Sequence, residues 1–400
     1  MEGFGFRLPE RHHRCFDQLP ATIEHILTGS APAGATPLEE PFLHEPAEHV
    51  LLVYLDAFGW RFYEQLAETP ALARARAEGL VTQLTSQFPS TTTAHVATIH
   101  SGLPVAAHGL YEWHQLEPSL GRLITPLLFC YAGDRQRETL AGVLDPAALY
   151  PASGLYERLG TAGVESWAVH PAEIAGSTAS GFLLQSVRGV GYSTLDEAFG
   201  HAARALASAE RSYVLVYLPH VDSLMHEVGP DDPAVLPTFA AMIDALAAAA
   251  FPPGTLVLLT SDHGMTPVDP VGTIYVNELW PELPGLLASG ADGKPLAPAG
   301  SCRDLFLHVR PGELERVRDG LAERLDGRAA VLTTAELIAR GAFDTPSERL
   351  RERIGDLVVL PRIGEAVYWY EPGRFDQHLR GQHGGLSAAE MEIPLVAWRA

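Results

Sequence analysis

Three uninterrupted apolar runs, His49 to Leu55, Tyr213 to Tyr217 and Thr255 to Thr260, constrain this chain more than any other feature. Runs of that kind, without polar alternation, belong to strands covered on both faces, as inside a parallel sheet. Each is followed closely by an aspartate: Asp56, Asp222 and Asp262. Helical stretches lie between the runs: Arg61 to Leu66, an amphipathic Leu195 to Ala209 and an alanine-rich Ala234 to Ala250. The alternation predicts an α/β fold with a doubly wound, mostly parallel central sheet flanked by helices. Sites in such folds sit beyond the carboxyl ends of the strands, and all three aspartates fall there.

Further elements complete the expected sheet. Leu80 to Gln87 reads as a strand, and a helix from about Ala94 to His100 is entered through threonines and closed by Gly102. Glu165 to Val169 reads as a short strand, and Glu392 to Trp398 as the closing one. Residues 1–47 are proline-rich and read as an arm packed on the core. Residues 48–274 and 380–400 form the expected core, interrupted by a small α+β insertion at 275–379. Within that insertion, Asp356 to Leu360 and Ala366 to Tyr370 read as a hairpin around Pro361 to Gly364.

The formal charge of −21, with only 28 basic residues, excludes binding to a nucleic-acid polymer as the expected role. A small phosphate-ester substrate stays compatible, because bound cations reverse the local field. Cys15, Cys130 and Cys302 are too few and too scattered for a disulfide framework or a thiolate metal site. No secretory pattern opens the chain, and no run of about 18 apolar residues is present, so a cytoplasmic enzyme without a membrane partner is expected. No motif speaks to oligomeric state.

The polar residues at the strand ends carry the chemistry. Asp222 and His226, four residues apart, share a face if a helix starts after Leu218. Asp262-His263 follows a buried strand directly, and His383-Gly384-Gly385 places an imidazole where glycine lets backbone come close. Any one of these pairs is commonplace. Together, three aspartates and three histidines without a thiolate match what two divalent ions require, zinc by the nitrogen content, with manganese as the alternative. The stretch Ser90-Thr91-Thr92-Thr93 offers a hydroxyl nucleophile, which needs a metal to lose its proton.

These segments, in this order, resemble the alkaline phosphatase superfamily, and most closely its nucleotide pyrophosphatase/phosphodiesterase branch. That branch has an aspartate ending the first strand, then P-x-x-T with a glycine ten residues beyond, matched by Pro89, Thr92 and Gly102. D-x-x-x-H, S-D-H-G-M and a late His-Gly follow, as in Asp222/His226, Ser261 to Met265 and His383-Gly384. The resemblance implies one metal on Asp222, His226 and His383, and a second on Asp56, Asp262 and His263 with Thr92 as the approaching nucleophile. It implies hydrolysis of phosphodiester or pyrophosphate bonds through a phosphothreonine, with two metals about 4 Å apart gripping the attacking and leaving oxygens.

Two positions depart from the pattern. His95 stands where the family commonly has asparagine, and is expected to donate the same hydrogen bond to a phosphoryl oxygen. Thr93 stands where a phenylalanine often supports a nucleotide base, leaving Trp113, Tyr111 and Phe58 as replacements. Glu112-Trp113-His114 is expected near the pocket, whereas His100, His170, His220 and His308 read as core or supporting residues. Within the superfamily a phosphonate hydrolase is the main alternative, followed by a phosphomonoesterase. Outside enzymes, the alternative is a metal-binding scaffold without turnover.

Overall fold

The computed structural model describes residues 3–152 and 154–400. Its central sheet has seven strands: β1 (His49–Leu55), β2 (Leu80–Thr85), β3 (Glu165–Pro171), β4 (Arg188–Tyr192), β5 (Ser212–Leu218), β6 (Leu256–Thr260) and β7 (Glu392–Arg399). Their order is β2-β7-β6-β1-β5-β3-β4. The three apolar runs are neighbours at its centre, with Leu52 of β1 opposite Leu215 of β5 and Leu258 of β6, all parallel. Only β7 runs the other way, between β2 and β6.

Alternate side chains of β1 feed two separate cores, as the two-residue period of a strand requires. Val50, Leu52 and Tyr54 pack under helix α1 (Leu19–Thr28) through Ile23 and Leu27. Leu51, Val53 and Leu55 pack on the other face against Phe62, Phe199 and Phe239. Each fully buried side chain of this kind contributes about 1.5–3 kcal/mol, so the sheet is a rigid platform.

Strand β4 is absent from the sequence reading. Its residues, Arg188-Gly189-Val190-Gly191-Tyr192, carry two glycines and little β-propensity, and it forms because β3 offers an open edge.

The expected hairpin does not form. Leu357–Pro361 lies between Leu305–Leu307 and Ala329–Thr333 in a four-stranded sheet, whereas Val367–Tyr368 pairs in parallel with Ile274–Tyr275. Arg303 is the physical reason. Its guanidinium, fully buried, donates to the carbonyls of Arg362 and Glu365 and pairs with Glu390 at 2.9 Å. The connecting loop is thereby bound inward, and the two segments are directed to different partners.

Candidate active site and metal centre

Four chain segments converge at the carboxyl ends of the parallel strands, and the loop carrying His383 joins them through its bond to Ser90. Asp56 directly follows β1, and Ala57 then adopts a left-handed φ of 59°, with its N–H donating to Asp262 Oδ1, 3.2 Å away. That conformation is costly for a residue with a Cβ and is kept where the surroundings over-determine it. Asp262 and His263 follow β6, and Gly264 then lets the turn touch the Ala389 carbonyl, which an added Cβ would meet at 2.1 Å. Helix α2 (Thr92–Ser101) follows β2, with Thr91 as N-cap and Thr92 as its first residue. Helix α3 (His220–Val228) follows β5 and presents Asp222 and His226 on one face.

Around Nε2 of His263 stand Thr92 Oγ1 at 3.2 Å, Asp262 Oδ2 at 3.2 Å and Asp56 Oδ1 at 3.6 Å. Around Oδ1 of Asp222 stand Nε2 of His226 at 3.5 Å and Nε2 of His383 at 3.7 Å. Tetrahedral ligands held about 2.0–2.1 Å from a zinc ion are about 3.3 Å from one another, so both sets have the spacing of a coordination shell. Potential ligand atoms of Asp56, Asp262 and His263 lie within 4.8 Å of one another, as do those of Asp222, His263 and His383. His263 thus belongs to both sets, and its ring stacks on that of His383 with centroids 3.7 Å apart.

The hydrogen bonds decide which atoms face inward. The Nδ1 atoms of His226, His263 and His383 donate to the carbonyls of Gly381 (2.8 Å), Gly264 (2.9 Å) and Ser90 (3.0 Å). Each bond selects the tautomer whose Nε2 carries a lone pair, as is usual for metal-ligating histidine. Those lone pairs point at Asp56 Oδ1, Asp222 Oδ1 and Asp262 Oδ2, three buried oxygens without a hydrogen-bond partner. Burial, with the charges of Asp262 and Asp222 nearby, pushes the Asp56 carboxyl well above its ordinary range. Burial also raises Asp222. At Asp262 burial acts upward too, but His263 more than offsets it, and the imidazole is raised in return. Burial and the neighbouring imidazoles of His263 and His226 push His383 well down. Lone pairs and carboxylates facing each other at this range are stabilised by positive charge among them, so these residues fit divalent cations.

A model of the type I phosphodiesterase / nucleotide pyrophosphatase family matches residues 50–386. The chain belongs to that family. It is therefore a phosphoester hydrolase of a metal-dependent family. Its fold is similar to that of murine ectonucleotide pyrophosphatase/phosphodiesterase 5, solved as an inactive threonine-to-alanine variant in complex with AMP. The two are 18% identical over 88% of this chain and 87% of that one, with a TM-score of 0.64. Phosphonoacetate hydrolase from Sinorhizobium meliloti 1021, in complex with phosphonoformate, is 20% identical over 88% and 90%, with a TM-score of 0.63. No curated protein sequence matches the chain significantly.

Around the phosphodiesterase-family site the structure separates the remaining residues. Thr92 is half-buried, whereas Thr91 is 2% exposed and Thr93 fully buried. His95 requires a correction: it is fully buried, its Nδ1 donates to the Thr91 carbonyl at 2.7 Å, and its Nε2 accepts from the Gln87 N–H at 3.0 Å beside Ser86 Oγ. No ring nitrogen is left for a phosphoryl oxygen. His95 instead braces the turn that carries Thr92. Phe58 and Tyr111 pack against Phe239 and Phe306 inside the core, so neither supports a base. Trp113 is 40% exposed beside Thr92. His100, His170 and His308 are held within the protein, but His220 is exposed at the start of α3.

Glu112, Trp113 and His114 all line a cleft of about 420 Å³ with Thr92, Asp222, His226 and His383. Burial raises Glu112 to about 8, and Asp304, buried beside it, is raised well above its ordinary range. Asp304 Oδ1 and Glu112 Oε1 crowd Gly384, where a Cβ would lie 2.7 and 3.1 Å from them. Sequence reading missed Asp304 and the hydroxyl of Tyr217, which donates to Asp56 Oδ2. Tyr217 lies in an apolar run, and Asp304 sits in the insertion, so neither carries a local signal.

Among the described residues no helix is long and apolar enough to cross a membrane.

Proposed function

We propose that the enzyme cleaves phosphodiester or pyrophosphate bonds of small substrates in two displacements, with Thr92 as nucleophile and two divalent ions, zinc or alternatively manganese. One observation carries this reading. Three histidines are locked by backbone carbonyls into the tautomer that turns their Nε2 lone pairs toward three unpartnered carboxylate oxygens, directly beside Thr92 Oγ1.

Asp56, Asp262 and His263 would hold the ion nearest Thr92, and Asp222, His226 and His383 the other. When bound, the ions lower the pKa of the threonine hydroxyl and neutralise charge on the leaving oxygen. Thr92 Oγ then forms a bond to phosphorus as the ester or anhydride oxygen departs, and water breaks the Thr92–phosphate bond in the second step. Thr92 opens α2, so the positive end of the helix faces the phosphoryl group as well. The inactive threonine variant of the murine relative supports the nucleophile by analogy.

Phosphonate hydrolysis is the second reading, supported by the likeness to phosphonoacetate hydrolase. A cytoplasmic setting is supported by three buried, unpaired cysteines. Hydrolysis of bis-p-nitrophenyl phosphate, p-nitrophenyl phosphate and phosphonoacetate by zinc- or manganese-loaded protein separates the readings. The diester should be turned over fastest. Preference for the phosphonate would select the second reading, and activity on none, with metal shown to be bound, would leave a scaffold.

A further inference from the structure

Thr92 stands in the partition between two chambers, the second more apolar than the first. The first is the cleft already described, lined by His226, His383, Glu112 and Arg374. The second, about 490 Å³, meets it at Thr92, Trp113, Asp222 and Ser223 and reaches Asp56. Much of its wall is aliphatic, through Leu127, Leu128, Ile174, Leu183, Leu184 and Leu215, with the exposed charged side chains of Arg137 and Glu173 also bordering it. Several imidazole and phenol groups at its inner end are turned to the protein, with His100 Nδ1 bonded to Tyr156 and the Tyr217 hydroxyl to Asp56.

We propose that this second chamber binds the ester group that stays on phosphorus during the first displacement, and that this group is an alkyl chain or uncharged aryl ring. The inference rests on the proposed reaction. Thr92 Oγ1 lies on the side of Asp56, Asp262 and His263. In-line attack therefore sends the leaving oxygen toward Asp222, His226 and His383, into the polar chamber, and leaves the second substituent in the aliphatic one. Among the described residues Trp113 is the one tryptophan lining it, and the Tyr217 hydroxyl there is engaged by Asp56. Apolar walls of this size favour a substrate part that exchanges water for hydrocarbon.

The test is a series of methyl, butyl and hexyl p-nitrophenyl phosphates, with thymidine 5′-p-nitrophenyl phosphate beside them, on the metal-loaded enzyme. Specificity, as kcat/KM, should rise by up to about fourfold per methylene, and the hexyl ester should surpass the nucleoside ester. Leu127→Asp should flatten that ratio of hexyl to methyl ester. Calorimetric binding of methyl-, butyl- and hexylphosphonate gives a readout that does not need turnover, and affinity should climb in the same order. Turnover of all esters with no dependence on chain length, or a preference for the nucleoside, overturns the assignment while sparing the reaction. Chain-dependent phosphonate binding without turnover of any ester supports the apolar chamber and removes the reaction instead.

Discussion

Thr92 Oγ1 lies 3.2 Å from Nε2 of His263, a residue 171 positions further along the chain. The contact joins the first turn of α2, after β2, to the loop after β6, two segments that meet because β2 and β6 lie one strand apart on either side of β7. The hydroxyl is thereby placed at the same spot as Asp56 and Asp262, the position a nucleophile needs if a cation is to take its charge.

Thr92→Ala removes only that hydroxyl, so turnover of a diester should fall by roughly 10³-fold or more. Metal content, measured on the same protein, should be retained, since the carboxylates and imidazoles are untouched. Full activity in the variant would remove Thr92 from the chemistry.

His95→Ala should act on stability. The buried imidazole bonds both Gln87 N–H and the Thr91 carbonyl, and its loss leaves those groups unpaired. A cost of about 2–4 kcal/mol in urea denaturation is expected. A variant as stable as the parent but impaired in substrate binding would restore the phosphoryl-binding role that the hydrogen bonds exclude.

Glu390→Gln leaves Arg303 buried without its counter-charge. Glu390 also accepts from the Gly385 N–H at 3.0 Å and from Ser387, so it anchors the loop that carries His383. Destabilisation of about 3–5 kcal/mol is expected, together with weaker metal retention in competition with a chelator. Unchanged stability would show that the pair is dispensable.

The buried neutral histidines should make the fold more sensitive to acid before any carboxylate titrates in the unfolded chain. Burial lowers His95 and His114 to about 4, and His100 and His108 to about 3. Unfolded histidine titrates near 6.5, so below that pH the unfolded state binds protons that the folded state refuses. The stability held by these four neutral rings is complete above pH 6.5 and declines as pH falls toward 4 and 3. Each ring contributes a slope of up to about 1.4 kcal/mol per pH unit. Protonation of Glu112 and Asp304, both raised by burial, works in the opposite sense, so the rings are read by difference. Urea midpoints at pH 7.5, 6 and 5 should fall less for His108→Gln than for the parent, and parallel profiles would contradict it.

The convergence of the candidate site residues was legible in the sequence because it follows a topological rule. Asp56, Asp222 and Asp262 follow buried parallel strands, and in such a sheet those ends share one rim. His95 was misread because its partners, the Gln87 amide and the Thr91 carbonyl, are set by how the turn folds, which no spacing encodes. The hairpin failed for a similar reason: Arg303, distant in sequence, captures the carbonyls of the connecting loop. Glu112 and Asp304 come from separate segments and meet at Gly384 only in three dimensions.

Anomalous diffraction from crystals grown with zinc tests the central arrangement most directly. The expected map shows two peaks, one among Asp56, Asp262, His263 and Thr92 Oγ1, the other among Asp222, His226 and His383. A single peak, or peaks away from these side chains, would contradict the two-ion site on which the proposed reaction depends.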